Sequence, residues 1–138
     1  HAEKLANAYH FQSGVRDAAA RGARIYGECG GYMVLGDGLV DAAGARHEML
    51  GLLPVVTSYE KRQRHLGYRR VTPLAGSFFE KPMTAHEFHY STIVSEGEAD
   101  RLFAVRDALG ADLGAAGLQR ANVAGSYMHL IDLAGDAA

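Results

Sequence analysis

The five residues Gly27-Glu28-Cys29-Gly30-Gly31 constrain this chain more than any other part of it. They follow Arg24-Ile25-Tyr26, which reads as a short strand. They lead into Tyr32-Met33-Val34-Leu35, which with Gly30 and Gly31 reads as a short helix stopped at Gly36. Gly-x-Cys-x-Gly at a strand-to-helix junction is the thiol form of the nucleophile elbow. A residue at the tip of such a turn holds a strained backbone. The residues two before and two after it approach one another closely, so glycine is expected at both places. This geometry presents the Cys29 sulfur at the carboxyl end of a sheet and at a helix N-terminus, where the dipole and free N–H groups favour the thiolate. It also aims the Gly30 N–H at a developing oxyanion. The competing reading is a glycine-rich turn carrying a structural cysteine, because free cysteines are commonly just buried.

The rest of the chain supplies the frame. Residues 2–20 read as one helix, with Leu5, Ala8, Tyr9, Gln12, Val15 and Ala19 near a 3.6-residue rhythm and Gly22 suited to its C-cap. Helix, strand, sharp turn and helix argue for an α/β domain with a parallel sheet. Residues 36–51 are loop-rich with a hairpin. Strands are expected over 52–59, 65–72, 84–94, 102–105 and 117–120, with a last one over 123–130 that turns into a helix. So helix-poor a stretch suggests antiparallel strands at a sheet edge. No internal repeat, low-complexity segment or domain boundary is visible, so residues 1–138 read as one domain.

Composition narrows the partners. The net charge is -2, with both signs interspersed, so no basic face recommends nucleic acid as a partner. No apolar run approaches the roughly 18 residues of a membrane span, and no signal peptide opens the chain. A cytoplasmic setting is the expectation. One cysteine excludes an internal disulfide. The chain opens at His1, already in helical rhythm, and reads as a piece of a longer protein.

A thiol nucleophile calls for a base, and seven histidines are available. His1 and His10 fall on the first helix as surface residues, and His47 and His65 in loops or strand starts. His129 closes the small, apolar run Val123-Ala124-Gly125-Ser126-Tyr127-Met128. There it is either the partner of Cys29 or a satisfied, semi-buried histidine. In His86-Glu87-Phe88-His89-Tyr90-Ser91, strand alternation puts His86 and Phe88 on one face and Glu87 and His89 on the other. That separation argues against joint metal ligation by the two histidines, so no metal site is expected. Glu87 and His89 either line the site or form a hydrogen-bonded pair within the sheet. Tyr90 and Tyr127 read as packing residues.

Three of these segments together resemble one family. Ile25-Tyr26-Gly27-Glu28-Cys29-Gly30-Gly31-Tyr32-Met33 is similar to the nucleophile segment of the cobyrinic acid a,c-diamide synthase family. Thr84-Ala85-His86-Glu87-Phe88-His89-Tyr90-Ser91 resembles its Gly-His-Glu-Phe-His-Tyr-Ser segment, and Ala124-Gly125-Ser126-Tyr127-Met128-His129-Leu130 its C-terminal Ser-Tyr-x-His-Leu-His segment. Gly67-Tyr68-Arg69 matches a further feature. The resemblance implies a class I-like glutamine amidotransferase domain with a flavodoxin-like α/β sheet flanked by helices. It implies Cys29 as nucleophile and His129 as base, with Gly30, Gly31, Glu87 and His89 around the oxyanion and substrate. The domain would need no cofactor of its own. In the family it is fused to an N-terminal P-loop ligase that uses ATP and Mg2+ to activate carboxylates of a corrin precursor, so glutamine, that ligase domain and the corrin are the implied partners.

Two departures accompany the resemblance. Ile131 stands where the family has a second histidine, so the group that orients His129 is unassigned and a Cys-His dyad is the expectation. The ligase, the first strands of the glutaminase and a Pro-Gly-Gly loop that would give a second oxyanion donor are also missing from this sequence. Loss of one such donor costs about 3 kcal/mol, so the isolated chain is expected to turn over little glutamine. Another thiol hydrolase, or a non-catalytic interaction module on the same fold, are the alternatives.

Overall fold

A computed structural model describes residues 1–74 and 78–134. The single helix expected over 2–20 is two, α1 (Ala2–Ala6) and α2 (Tyr9–Ala20). Gln12 holds the break. Its buried amide donates to the carbonyls of Leu5 (2.6 Å) and Ala6 (2.9 Å) at the end of α1. Leu5, Val15 and Ala19 pack on the core as their spacing requires, but the break resets the phase and leaves Tyr9 exposed. Gly22 caps α2 as expected: its N–H bonds Ala19 and that of Ala23 bonds Ala18, both at 3.0 Å, with Gly22 at φ +84°.

Then come β1 (Ile25–Glu28), α3 (Gly30–Leu35), β2 (Gly38–Val40), β3 (Arg46–Glu48), β4 (Val55–Ser58), β5 (His65–Pro73), β6 (Met83–His89), β7 (Thr92–Glu96), β8 (Asp100–Asp107), β9 (Asp112–Arg120), β10 (Val123–Ser126) and β11 (His129–Leu133). Seven strands form one sheet in the order β1-β10-β9-β8-β5-β6-β11, and four form a second in the order β3-β2-β4-β7. The pairs β1–β10 and β2–β4 are parallel and the other pairs antiparallel. Antiparallel pairing thus runs through the sheets and is not confined to an edge.

Two expected strands are each divided. The 84–94 run breaks at Tyr90-Ser91, because β6 and β7 belong to different sheets and the buried Ser91 turns in to bond the Tyr127 hydroxyl (2.8 Å). The 123–130 run contains no helix: β10 ends at Ser126, and β11 begins at His129 beside β6.

That second break fixes the shape. In strand order β10 and β11 are five spacings apart, about 24 Å across a flat sheet. The three residue steps from Ser126 to His129 can span no more than about 11 Å. The seven-stranded sheet must therefore curl until its ends meet. Inside the curl lies one core, around Val71, Leu102, Phe103, Val105, Ala124 and Met128. A second core, around Tyr32, Leu35, Leu53, Val55, Leu118 and Tyr127, joins α3 to the two sheets and receives α1 and α2. All four residues of β10 are buried because its two faces serve the two cores. Among the described residues no helix is long and apolar enough to cross a membrane.

Candidate active site

Cys29 occupies the tip of the turn expected for it. It follows β1, is the N-cap of α3, and has φ 52° and ψ -107°, a strained backbone for a residue with a side chain. Its N–H donates to the Ser126 carbonyl (2.8 Å), which fixes the tip to the end of β10. Glycine is required at 27: a Cβ there would lie 2.7 Å from the Gly31 carbonyl carbon and 2.8 Å from Leu35 Cδ1. The requirement does not extend to Gly31, where a Cβ would meet nothing within 4 Å. The close approach is of the Gly31 backbone to position 27, not of two side chains.

The thiol is less acidic than the elbow suggests. Burial pushes the Cys29 pKa up, and the carboxylates of Glu28 and Glu87 add to the rise. The Gly30 N–H favours the thiolate but does not outweigh them. Burial and these two carboxylates therefore work against the thiolate that the helix N-terminus favours. Its contact is with the Phe88 carbonyl oxygen (3.9 Å), not with His129.

His129 opens β11 directly across from His86, which lies across from Tyr68 on β5. It is exposed, not semi-buried. The neighbouring Leu130 N–H donates to Glu28 Oε2 (3.0 Å), joining β11 to the end of β1. Ile131 falls in a register shift and is 58% exposed, so it cannot orient an imidazole. Asp132 uses its Oδ1 to accept the Leu133 N–H (2.7 Å).

Glu87 and His89 form the pair expected on one face of β6. His89 Nε2 meets Glu87 Oε2 at 2.7 Å, its Nδ1 meets the Ser91 carbonyl at 2.9 Å, and Arg69 Nε donates to Glu87 Oε1 at 3.1 Å. Burial opposes ionisation of Glu87, but the bonds and charges of His89 and Arg69 outweigh it and hold the carboxyl below its usual range. The His89 ring is stacked between Tyr127 (centroids 3.7 Å) and His65 (4.5 Å). Tyr127 is thus more than filler: it locks His89 by stacking and Ser91 by its hydroxyl. Glu87 and His89 line a small cavity of about 290 Å³ with Tyr32 and Gly117. A larger cavity of about 570 Å³ lies beside the elbow, against Gly30 and Met33, with Glu3, Asp41 and Arg62 on its walls.

The model of the CobB/CobQ-like glutamine amidotransferase domain matches residues 1–137. The chain belongs to that family. It is 69% identical over 137 residues to the hydrogenobyrinate a,c-diamide synthase of Sinorhizobium sp, covering 99% of this chain and 32% of the relative. It is also 69% identical over 132 residues to the protein of that name from Rhizobium meliloti (strain 1021), covering 96% and 31%. The chain spans about a third of the length of the curated relatives it matches. A solved glutamine amidotransferase superposes with a TM-score of 0.54 at 17% identity, covering 92% of this chain and 63% of that one. The shared fold agrees with the α/β, flavodoxin-like class expected from sequence.

Several contacts of this amidotransferase domain were not read from the sequence. Arg69 had a signal, since it closes the Gly67-Tyr68-Arg69 feature, but its ion pair with Glu87 depends on strand pairing. The Phe88 carbonyl and the pocket residues Asp41 and Arg62 carried none. Glu28 had one: a carboxylate at the end of a strand, one residue before the elbow cysteine.

Proposed function

We propose that this amidotransferase domain hydrolyses glutamine to supply ammonia within a hydrogenobyrinate a,c-diamide synthase, with Cys29 as nucleophile and His129 as base. The observation that carries the reading is the strained, glycine-backed elbow at Cys29, with the strand of His129 joined to it across the closed end of the sheet. His129 takes the thiol proton and the sulfur adds to the side-chain amide carbon of glutamine. The oxyanion accepts from the Gly30 N–H. The C–N bond then breaks, His129 returns the proton to the leaving nitrogen, and ammonia departs from a glutamyl thioester. Water, deprotonated by His129, hydrolyses the thioester and restores the thiol, with glutamate as the second product.

The cavity beside the elbow suits the other end of the substrate. Arg62 offers a guanidinium to the α-carboxylate, and Glu3 offers a carboxylate to the α-ammonium, while Asp41 is held by His47 and by the N–H groups of Ala43 and Ala45. The Gly31 backbone packs against position 27 and its open side leaves room for substrate, and Glu87 and His89 brace the site through Tyr127. The remaining two-thirds of a protein of the relatives' length would hold the ligase, where ATP and Mg2+ would activate the corrin carboxylates in the cytoplasm. The exposed side chains of Leu66 and Tyr68 on β5 and Phe88 on β6, the strand paired with that of His129, form a face for such a partner to cover.

The test is made on the full-length protein. Cys29→Ala should abolish amidation driven by glutamine and leave amidation driven by added ammonium salt. Glutamine-driven amidation that survives the substitution would contradict the proposal.

A further inference from the structure

β1 and β11 stand at opposite ends of the seven-stranded order, yet Cys29 leaves one and His129 opens the other. The distance between nucleophile and base is therefore set by contacts across the seam where the sheet closes, not by strand pairing. β10 holds β1 only as far as Ser126, and β11 is held by β6 on its other side. Between Ser126 and His129 the chain is tied by Met128 N–H to Ser126 Oγ (3.0 Å), which does not reach the base strand. The bond that does reach it runs from the Leu130 N–H to Glu28 Oε2 (3.0 Å). Among the described residues β11 is an edge strand, and this N–H has no further strand to bond. The Glu28 carboxylate takes the place of one.

That carboxylate also acts against the chemistry. It lies one residue before a sulfur that must ionise, and its charge opposes the thiolate. Glu87 on β6 opposes it too, and Tyr127 also lies within electrostatic reach of the thiol. A group that hinders the nucleophile electrostatically is explained if it does something else there.

We propose that Glu28 is a positioning residue: its side-chain oxygen fixes the backbone of Leu130, and with it the adjoining His129, at working distance from Cys29. The role rests on the Cys29–His129 reading above. What it requires is reach and an acceptor oxygen, not charge.

Two variants of the full-length protein separate those requirements. Glu28→Gln keeps the reach and an acceptor oxygen but loses the charge. Glu28→Asp keeps the charge but shortens the arm by one methylene. Two rates are read for each: covalent labelling of Cys29 by the glutamine-mimicking diazoketone 6-diazo-5-oxonorleucine, and alkylation of Cys29 by iodoacetamide as a function of pH. Glu28→Gln should retain most of the diazoketone rate, and its iodoacetamide profile should move to lower pH because the thiolate no longer faces that charge. Glu28→Asp should slow the diazoketone about tenfold or more through misplacement of the base, with its iodoacetamide profile close to wild type. A Glu28→Asp protein that labels as fast as wild type overturns the proposal, as does a Glu28→Gln protein as slow as Glu28→Asp. Wild-type protein that takes no diazoketone at Cys29 overturns the Cys29–His129 reading itself, and the positioning role with it.

Discussion

Replacing Cys29 by glycine should make the protein more stable than replacing it by alanine. Both substitutions remove the sulfur and its contacts, so their difference isolates the backbone. At φ 52° and ψ -107°, alanine keeps a strain of about 1–3 kcal/mol that glycine does not feel. Glycine returns part of this gain, about 0.4–1 kcal/mol, through the greater freedom of its unfolded chain. The net advantage of Cys29→Gly over Cys29→Ala is about 1 kcal/mol, which in a domain of this size moves the unfolding midpoint by about 3–5 °C. Differential scanning calorimetry of the two full-length variants, following the transition that contains this domain, measures it. Equal midpoints, or a more stable alanine variant, would mean that the elbow stores no strain and would refute the reasoning.

Three further outcomes follow from the site. The Cys29 thiol is pushed up by burial and by Glu28 and Glu87, so its alkylation by iodoacetamide should rise only at a pH above that of a free cysteine; a midpoint at or below the free value contradicts the picture of a resting thiol. Because His89 and Arg69 hold the Glu87 pKa below its ordinary value, this carboxylate contributes stability that is present above the unfolded-state pKa and lost as pH falls through the folded one. Glu87→Gln should therefore cost about 2 kcal/mol at neutral pH, and urea unfolding should show the gap to wild type closing in acid; a gap unchanged with pH would count against the ion pair. Arg62→Ala should raise about tenfold or more the glutamine concentration that protects Cys29 from the diazoketone while leaving iodoacetamide alkylation unchanged, and unaltered protection would remove Arg62 from the substrate pocket.

Local chemistry made much of this site legible. The glycines around Cys29 announce a turn whose geometry depends on few other residues, and Gly27 against the Gly31 backbone is its physical cause. Strand alternation placed Glu87 and His89 on one face, where they bond. The position of His129 was less accessible. A run of small apolar residues reads as one strand, and nothing local tells that Ser126 ends the pairing with β1 while His129 begins one with β6. The break in the first helix was hidden for a related reason: Gln12 fits the helical rhythm, but its amide is spent on the carbonyls of the preceding turn. The direction of the Cys29 shift was legible only in part: the helix N-terminus and the Glu28 charge are visible in sequence, whereas the burial and the Glu87 charge come from distant segments.

The central claim is that Cys29 and His129 work as nucleophile and base on glutamine. Its most direct test is mass spectrometry of the full-length protein after treatment with 6-diazo-5-oxonorleucine, in wild type, Cys29→Ala and His129→Ala. One label per chain on Cys29, blocked by glutamine, absent in Cys29→Ala and much slower in His129→Ala, is the predicted result. Wild-type protein that takes no label at Cys29, or labels as fast without His129, would contradict the account.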